Sequence, residues 1–569
     1  MLADKLAIVE KNLYPFLGEA PMSVPRFAPQ TELFGLQGRN GELFEAGNRY
    51  RVFAERIYPL LVEVRPQLEA CYCTDNGRPG IEPVLLLGVS VLQFWEKAPD
   101  REAAERVRYH QGWKFALNVS WLEKGFDPSV LTRFRERLVE QEQGRVAFEA
   151  VLGGLQEAGL IPRKNKQRLD STHVLGLVSR MSTLDRTRET LRLALEEIAA
   201  TVPPAERPAE WESWWQRYVE EGLDYRSSEE TIRAKLVQAG EDLRQLKTWV
   251  AEQAEAVKGG EKASWLERVF EENFEIVEGL VRQRRAGPAG AIQNPHDPEA
   301  QWCAKGQGQQ QKEWVGYKVQ VAETVTEDKL EKGEPTRSFL TAVVTQPATG
   351  SEEVGMEETL AEQAEMGVEK PEVLYVDAAY VSGQLLREWA AEGRELIGPA
   401  QPPGRTAKSQ FQSDDFEVRV EERRAFCPAG QESTQGSRLK EKKTGAVTFR
   451  LEWSWRCREC PLRSACVPSG QKHRSLVVGE YHTALQQRRR EMKTEEFEQR
   501  KKHRNAIEGT QSELVRAHGM RRARYRGLKK VALQNYFIGA ACNVKRWIRR
   551  LQWQMKQPIS AAPVALESS

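Results

Sequence analysis

Three acidic residues stand where a chain could do phosphodiester chemistry. Asp170 lies in the alternating stretch KQRLDSTHVLGLVS, Asp377 closes the apolar run VLYVD, and Glu508 falls in HRNAIEGTQSELVRAHG. The first two read as strands and the third as a helix. An aspartate ending a Val-Leu-Tyr-Val run is costly to bury unless a cation or hydrogen-bond donors meet it. In open α/β sheets, ligand sites gather at the carboxyl ends of strands. Taken singly, each acid is more often a cap or a surface group. Together, beside a basic segment, they suit hydrolysis or transfer of a phosphodiester by a pair of Mg²⁺ or Mn²⁺ ions. These hard cations take oxygen ligands, and two of them ~3.5–4 Å apart can serve both the attacking and the leaving oxygen. Arg504, four residues before Glu508, is expected on the same helical face, and Gly509 is expected to let another backbone approach closely. His173 is three residues from Asp170 along a strand, so it points to the opposite face and is structural. Glu513 is the weaker glutamate, and Asp297 and Lys305 read as surface loop residues.

A second constellation is Cys427, Cys457, Cys460 and Cys466, half of the eight cysteines in the chain. Cys457-Arg-Glu-Cys460 has the CxxC spacing that lets two thiolates reach one tetrahedral zinc. A redox role for CxxC needs a thioredoxin-like context, which the flanking sequence lacks. One structural zinc is therefore expected, with His473 as substitute ligand, in a segment too polar to bury a core of its own. Cys71, Cys73, Cys303 and Cys542 read as isolated residues.

The third signal is charge. The whole chain carries +2, but residues 488–550 hold 19 Lys+Arg against 6 Glu, while residues 185–280 hold 22 Asp+Glu against 13 Lys+Arg. Arg521, Arg522, Arg524, Arg526, Lys529 and Lys530 crowd the stretch after Glu508, the footprint expected for phosphate contacts. A solvated helix face is the commoner reason for such a run. Phe537, Ala541, Val544, Ile548 and Leu551 follow at helical spacing and belong to a core.

These residues need elements to hold them. With 569 residues, 40% hydrophobic and 29% charged, the chain is globular and multidomain. Its longest apolar run, Val84–Trp95, is shorter than the ~18 residues of a membrane span. MLADKLAIVEKNL lacks the pattern of a secretory signal, and the few cysteines point to a reducing compartment. Residues 1–160 read as helical, with IEPVLLLGVSVLQFWE, DREAAERVRYH and FDPSVLTRFRERLVEQE as three helices. The third begins at Asp127-Pro128 and carries Arg133, Arg135 and Arg137, which fits a trihelical DNA-binding unit as well as a plain bundle. After the Asp170 strand, residues 185–295 read as a helical insertion, through EENFEIVEGLVRQ. WVGYKVQVAETV and RSFLTAVVTQ form a hairpin, followed by helix, strand VLYVD, helix and strand ELIGP, hence a mixed α/β sheet over 161–184 and 296–400. Residues 401–483 form a cysteine-rich insertion, 484–556 return to helix and complete the α/β unit, and 557–569 read as a disordered tail.

RLDSTHV, DPEAQWCAKG with WVGYKVQVAET, AVVTQPATG, YVDAAYVSG and RNAIEGTQSELVRAHGMRRARYRGLKKVALQ occur in the order seen in bacterial insertion-sequence transposases. More narrowly, the chain resembles DDE transposases with an RNase H-like catalytic domain and a cysteine-rich insertion. GRPGIEPVLLLGVSVLQF with FDPSVLTRFRERL is similar to their helical N-terminal domain. The resemblance gives Asp170, Asp377 and Glu508 the three acidic positions of the catalytic triad, holding two Mg²⁺ or Mn²⁺ ions. It sets Arg504 and Arg516 near the basic positions flanking the glutamate. Lys501 stands where some relatives carry tyrosine, so that tyrosine's role is not transferred. The resemblance also implies double-stranded DNA as partner (inverted-repeat ends and target), end cleavage, joining of a 3′-hydroxyl to target DNA and a homodimer on synapsed DNA. It implies a cytoplasmic, nucleoid-associated location. The alternatives are a non-enzymatic DNA-binding descendant and a structure-specific nuclease of the same fold.

Overall fold

The structure is a computed structural model that describes residues 43–557 apart from 74–79, 223–227, 254, 307–310, 404–408 and 442–444. The expected tail lies outside the described residues save for Gln557, as do the N-terminal 42 residues.

A six-stranded mixed sheet organises the chain. Its centre is the strand Lys166–Leu175, which carries Asp170. On one side it pairs antiparallel with the long strand Lys312–Val325, which in turn pairs with Leu340–Pro347 and, at its start, with Gln301–Lys305. On the other side it pairs parallel with Val373–Tyr375, followed by Glu395–Ile397. The hairpin and the strands at VLYVD and ELIGP stand where the sequence suggests them, while the parallel pairing and the strand order are set by the tertiary fold.

The 29-residue helix Leu528–Lys556 packs across this sheet and against the N-terminal helices. Phe537, Ala541, Val544 and Ile548 are buried, as the stripe predicts. The helix Pro83–Glu96 is apolar nearly all round because it is buried on every side, between this long helix and the N-terminal helices. One hydrophobic core runs without a break from Phe53 and Leu87 through Phe148 to Val174, Val319 and Phe537. The helices before residue 160 therefore share the core of the sheet rather than closing one of their own.

The segment after the Asp170 strand holds the helices Thr183–Thr201, Glu229–Glu252 and Glu261–Asn273 around a separate core of Leu191, Leu195, Trp214, Leu243 and Leu246. The expected helix over EENFEIVEGLVRQ stops at Asn273. Phe274–Val277 and Leu280–Gln283 form a β-hairpin instead. Glu278 and Gly279 both adopt positive φ, 54° and 81°, the backbone of a tight two-residue hairpin turn. The β-branched FEIV and LVRQ runs favour that outcome over helix.

The cysteine-rich segment also departs from expectation. It folds as a two-stranded and a three-stranded antiparallel sheet. Phe416, Val418, Phe449, Leu451, Trp453 and Val478 are buried together there, so the segment does possess a small core. Among the described residues no helix is long and apolar enough to cross a membrane.

Candidate active site

The parallel register aligns Arg168 with Tyr375. Two residues further, both chains reach an aspartate at the carboxyl end of the paired region, Asp170 and Asp377. Asp170 Oδ1 accepts the Ser171 N–H at 2.9 Å. Burial raises its carboxyl above the usual aspartate range, and the Arg504 guanidinium opposes that shift. Asp377 caps a single 3₁₀ turn, Ala378–Tyr380, by accepting the Ala378 N–H. Its side chain is about half exposed.

Glu508 comes from a different element. The basic stretch does not form one helix: Glu495–Asn505 ends, Ala506 makes the junction, and Ile507–His518 begins. Arg504 therefore lies in the last turn of one helix and Glu508 in the first turn of the next. Each charge suits its helix end, a cation at the carboxyl end and an anion at the amino end.

Arg504 reaches all three acids. Its Nη2 is 2.8 Å from Asp170 Oδ2 and 3.5 Å from Asp377 Oδ2, and its Nη1 is 3.8 Å from Glu508 Oε1. Residues separated by more than 330 positions in sequence thus surround one guanidinium. Gly509 has open space beside it instead of the close backbone expected, so its role is not one of approach.

A buried network beneath the acids was not legible as a site. Glu323 on the long strand accepts Arg168 Nε at 2.6 Å, Arg546 Nη1 at 2.7 Å and the Thr510 hydroxyl at 2.8 Å. Arg168 also donates to the His503 carbonyl at 3.1 Å, fixing the end of the Arg504 helix to the Asp170 strand. The signal was present, since Arg168 and Glu323 are charges inside strand patterns, facing each other in register. Beside Asp170, Ser171 donates to Glu352, which also accepts Lys318 at 2.9 Å and Gln320 at 2.8 Å. His173 packs on the Trp314 ring, a structural role as read. Asp297 corrects the surface-loop reading: it is 1% exposed and accepts the Tyr317 hydroxyl at 2.6 Å and the Gly527 N–H at 3.1 Å. Lys305 is exposed at the end of its strand.

The basic residues divide. Arg522, Arg526, Lys529 and Lys530 are exposed, as is Arg133. Arg521 donates to the His173 carbonyl at 2.7 Å, and the segment around it pairs with Leu175, extending the Asp170 strand's neighbourhood. Arg524 lies over the Phe94 ring and donates to the Ala98 carbonyl. Arg135 is buried, donates to Asp100 at 3.2 Å and stacks on Tyr525. Arg521, Arg524 and Arg135 hold the protein together, a correction to their reading as phosphate contacts. Arg137 lies over the Tyr72 ring, and Arg516 is exposed, its backbone carbonyl accepting from Lys97.

Cys427, Cys457, Cys460 and Cys466 line one cavity of about 20 Å³. The Arg474 N–H donates to Cys457 Sγ at 3.5 Å. Burial pushes the Cys457 thiol up and the Cys466 thiol to about 11. His473 is absent from this lining; its Nε2 sits 3.7 Å from Glu452. Glu513, His518 and Cys542 also bring possible ligand atoms within 4.8 Å of one another. That second trio is a packed core. Glu513 already takes Lys545 at 2.8 Å and Arg546 at 3.0 Å. Despite burial, those two cations hold its carboxyl at about 2, while burial lowers His518 to about 4 and raises Cys542 to about 12. With the carboxylate taken up by two cations and the thiol held protonated, the neutral imidazole is the one ready ligand of the three.

Two aspartates, one midway along the central strand and one just past the end of its parallel neighbour, gathered with a glutamate from a helix on one guanidinium, make an oxygen-rich site on an α/β sheet. The chain matches a family model described as Transposase DDE domain over residues 426–548, and one described as Transposase domain (DUF772) over residues 40–137. Together they indicate an insertion-sequence DDE transposase. The first match contains the cysteine cluster and Glu508, whereas Asp170 and Asp377 lie outside both. No curated protein matches the chain.

Proposed function

We propose that this DNA transposase binds the terminal inverted repeats of its insertion sequence, cleaves the ends by metal-dependent hydrolysis and joins the freed 3′-hydroxyl to target DNA. The observation that carries the proposal is the convergence of Asp170, Asp377 and Glu508 on one guanidinium. The three carboxylates fit hard divalent cations, since they supply oxygen ligands alone and Asp170 is held partly buried in the central strand of the sheet. Mg²⁺ or Mn²⁺ bound there supplies Lewis acidity at the attacked phosphate and lowers the pKa of the attacking hydroxyl or water. Asp170 is fixed by the sheet, so it sets the position of the reacting phosphate, and Asp377 joins it from the turn after the parallel strand. Glu508, on a helix end and more exposed, completes the ligand set from the side.

Arg522, Arg526, Lys529 and Lys530, with Arg133, Arg137 and Arg516, are proposed to hold the DNA backbone, contacts that set affinity and register rather than sequence. Cys427, Cys457, Cys460 and Cys466 are proposed to hold one structural zinc. Their convergence on one cavity and the N–H donated to Cys457 suit thiolate ligands. A homodimer on synapsed DNA and a nucleoid-associated cytoplasmic location complete the reading.

The test is strand transfer with pre-cleaved and uncleaved ends. Asp170→Asn, Asp377→Asn and Glu508→Gln should each abolish cleavage while end binding persists, with Mg²⁺ or Mn²⁺ active and Ca²⁺ supporting binding alone. Normal cleavage by any one variant removes that residue from the site. Cleavage without joining would make the protein a nuclease of the same fold.

A further inference from the structure

We propose that Arg504 is the built-in counterion of the metal-free site: it holds the three carboxylates together until divalent cations arrive, and metal loading displaces it. This rests on the reading of Asp170, Asp377 and Glu508 as metal ligands.

Three carboxylates gathered around one guanidinium repel one another, the more so when one of them is partly buried, and a site awaiting metal would spread unless a positive charge stood among them. Arg504 is that charge. It touches all three acids at 2.8, 3.5 and 3.8 Å. Among the described residues no other lysine or arginine is ion-paired to any of the three. Its hold is firm enough to gather the acids and weak enough to release them. Only the contact to Asp170 is a hydrogen bond. The other two are longer than hydrogen bonds, and no acid is met by the parallel two-bond fork that makes Arg–carboxylate pairs tenacious. Arg504 Nε is buried without a hydrogen-bond partner, so the guanidinium is incompletely satisfied where it lies.

The backbone around it is fixed, which confines the change to side chains. Arg168 pins the carbonyl of His503 to the Asp170 strand, and Gln511 donates to the Ser171 carbonyl at 3.0 Å from the Glu508 helix. Asp377 and Glu508 keep 48% and 71% side-chain exposure, so both can turn toward an incoming ion. A cation entering among the acids must therefore replace Arg504 electrostatically. The bare protein gives up stability of the metal-free site in exchange for affinity when Arg504 is removed.

The experiment is a Mn²⁺ titration of the full chain without DNA, following free Mn²⁺ by electron paramagnetic resonance, together with thermal unfolding in the presence and absence of Mn²⁺. Arg504→Gln should bind its first Mn²⁺ about tenfold more tightly than the parent protein, on the scale of one partly buried charge contact. It should melt lower without metal and regain the difference when Mn²⁺ is added. Arg504→Lys, which keeps a point charge but loses the fork, should fall between. Unchanged or weaker Mn²⁺ binding by folded Arg504→Gln overturns the proposal; if that variant does not fold, parental affinity in Arg504→Lys overturns it. The double variant Asp170→Asn/Glu508→Gln separates the two readings. Loss of Mn²⁺ binding there with unchanged binding in Arg504→Gln sinks the counterion role alone. Parental binding in the double variant sinks the metal-ligand reading beneath it.

Discussion

Arg168 and Glu323 face each other across two antiparallel strands, Nε to Oε1 at 2.6 Å, with Glu323 fully buried and Arg168 nearly so. This pair lies two residues before Asp170 and ties the strand that carries it to both helices that approach it. Glu323 receives two arginines and a threonine, so its charge is compensated from three elements.

Removing one member of such a network leaves buried charge without a partner. Glu323→Ala should destabilise the fold by about 3–5 kcal/mol, read as a lower midpoint in urea unfolding. It should also loosen the Glu508 helix, seen as faster amide exchange over 507–518. A cost under ~1 kcal/mol would mean the two arginines find solvent or other partners.

Glu362 gives a pH dependence. It is 9% exposed and accepts the Tyr536 hydroxyl at 2.7 Å. Burial raises its carboxyl to about 7, with Arg145 only partly opposing the shift. The folded protein thus keeps this proton where the unfolded chain, titrating near the ordinary value of 4.5, has lost it. Stability supplied by the protonated group is complete below about pH 4.5 and is lost as pH rises to about 7. Glu362→Gln should flatten this slope and raise the melting temperature at pH 8 relative to the parent protein. Parallel melting curves from pH 5 to 8 would show that Glu362 titrates normally.

The division of the basic residues predicts two phenotypes. Arg522→Gln, Arg526→Gln, Lys529→Gln and Lys530→Gln should weaken binding to any duplex. Each lost phosphate contact should flatten the slope of log K against log salt by about 0.9. Arg524→Gln should instead lower thermal stability, because its guanidinium covers Phe94 and donates to the Ala98 carbonyl. Equal salt slopes for the exposed set and the parent protein would assign those charges to solvation.

Zinc can be counted directly. One zinc per chain is expected after purification without chelator, and Cys457→Ser with Cys460→Ser should abolish it. Because the segment has its own buried cluster, chelation should speed proteolysis of 410–480 without unfolding the sheet that carries Asp170. Full zinc content in the double variant would move the metal elsewhere.

What the sequence determined by itself is local or periodic. Strand alternation around Asp170, the apolar run before Asp377, the hairpin of the long strand and the buried stripe from Phe537 to Ile548 all follow from side chains that must face a core at period two or 3.6. Motif order points to the three acids, and CxxC spacing with local clustering points to the four cysteines. At 274–283 the short runs pass for helix because periodicity over four residues cannot tell strand from helix, and two adjacent residues with positive φ decide the hairpin. Tertiary structure alone decided which charges meet. Spacing along the chain cannot reveal that Arg504 stands among three acids, that Glu323 joins Arg168 to Arg546, or that Arg135, Arg521 and Arg524 turn inward while Arg522 and Arg526 stay in solvent. Those outcomes depend on desolvation and on partners brought from hundreds of residues away, and both come into being only when the sheet and its helices close on one another.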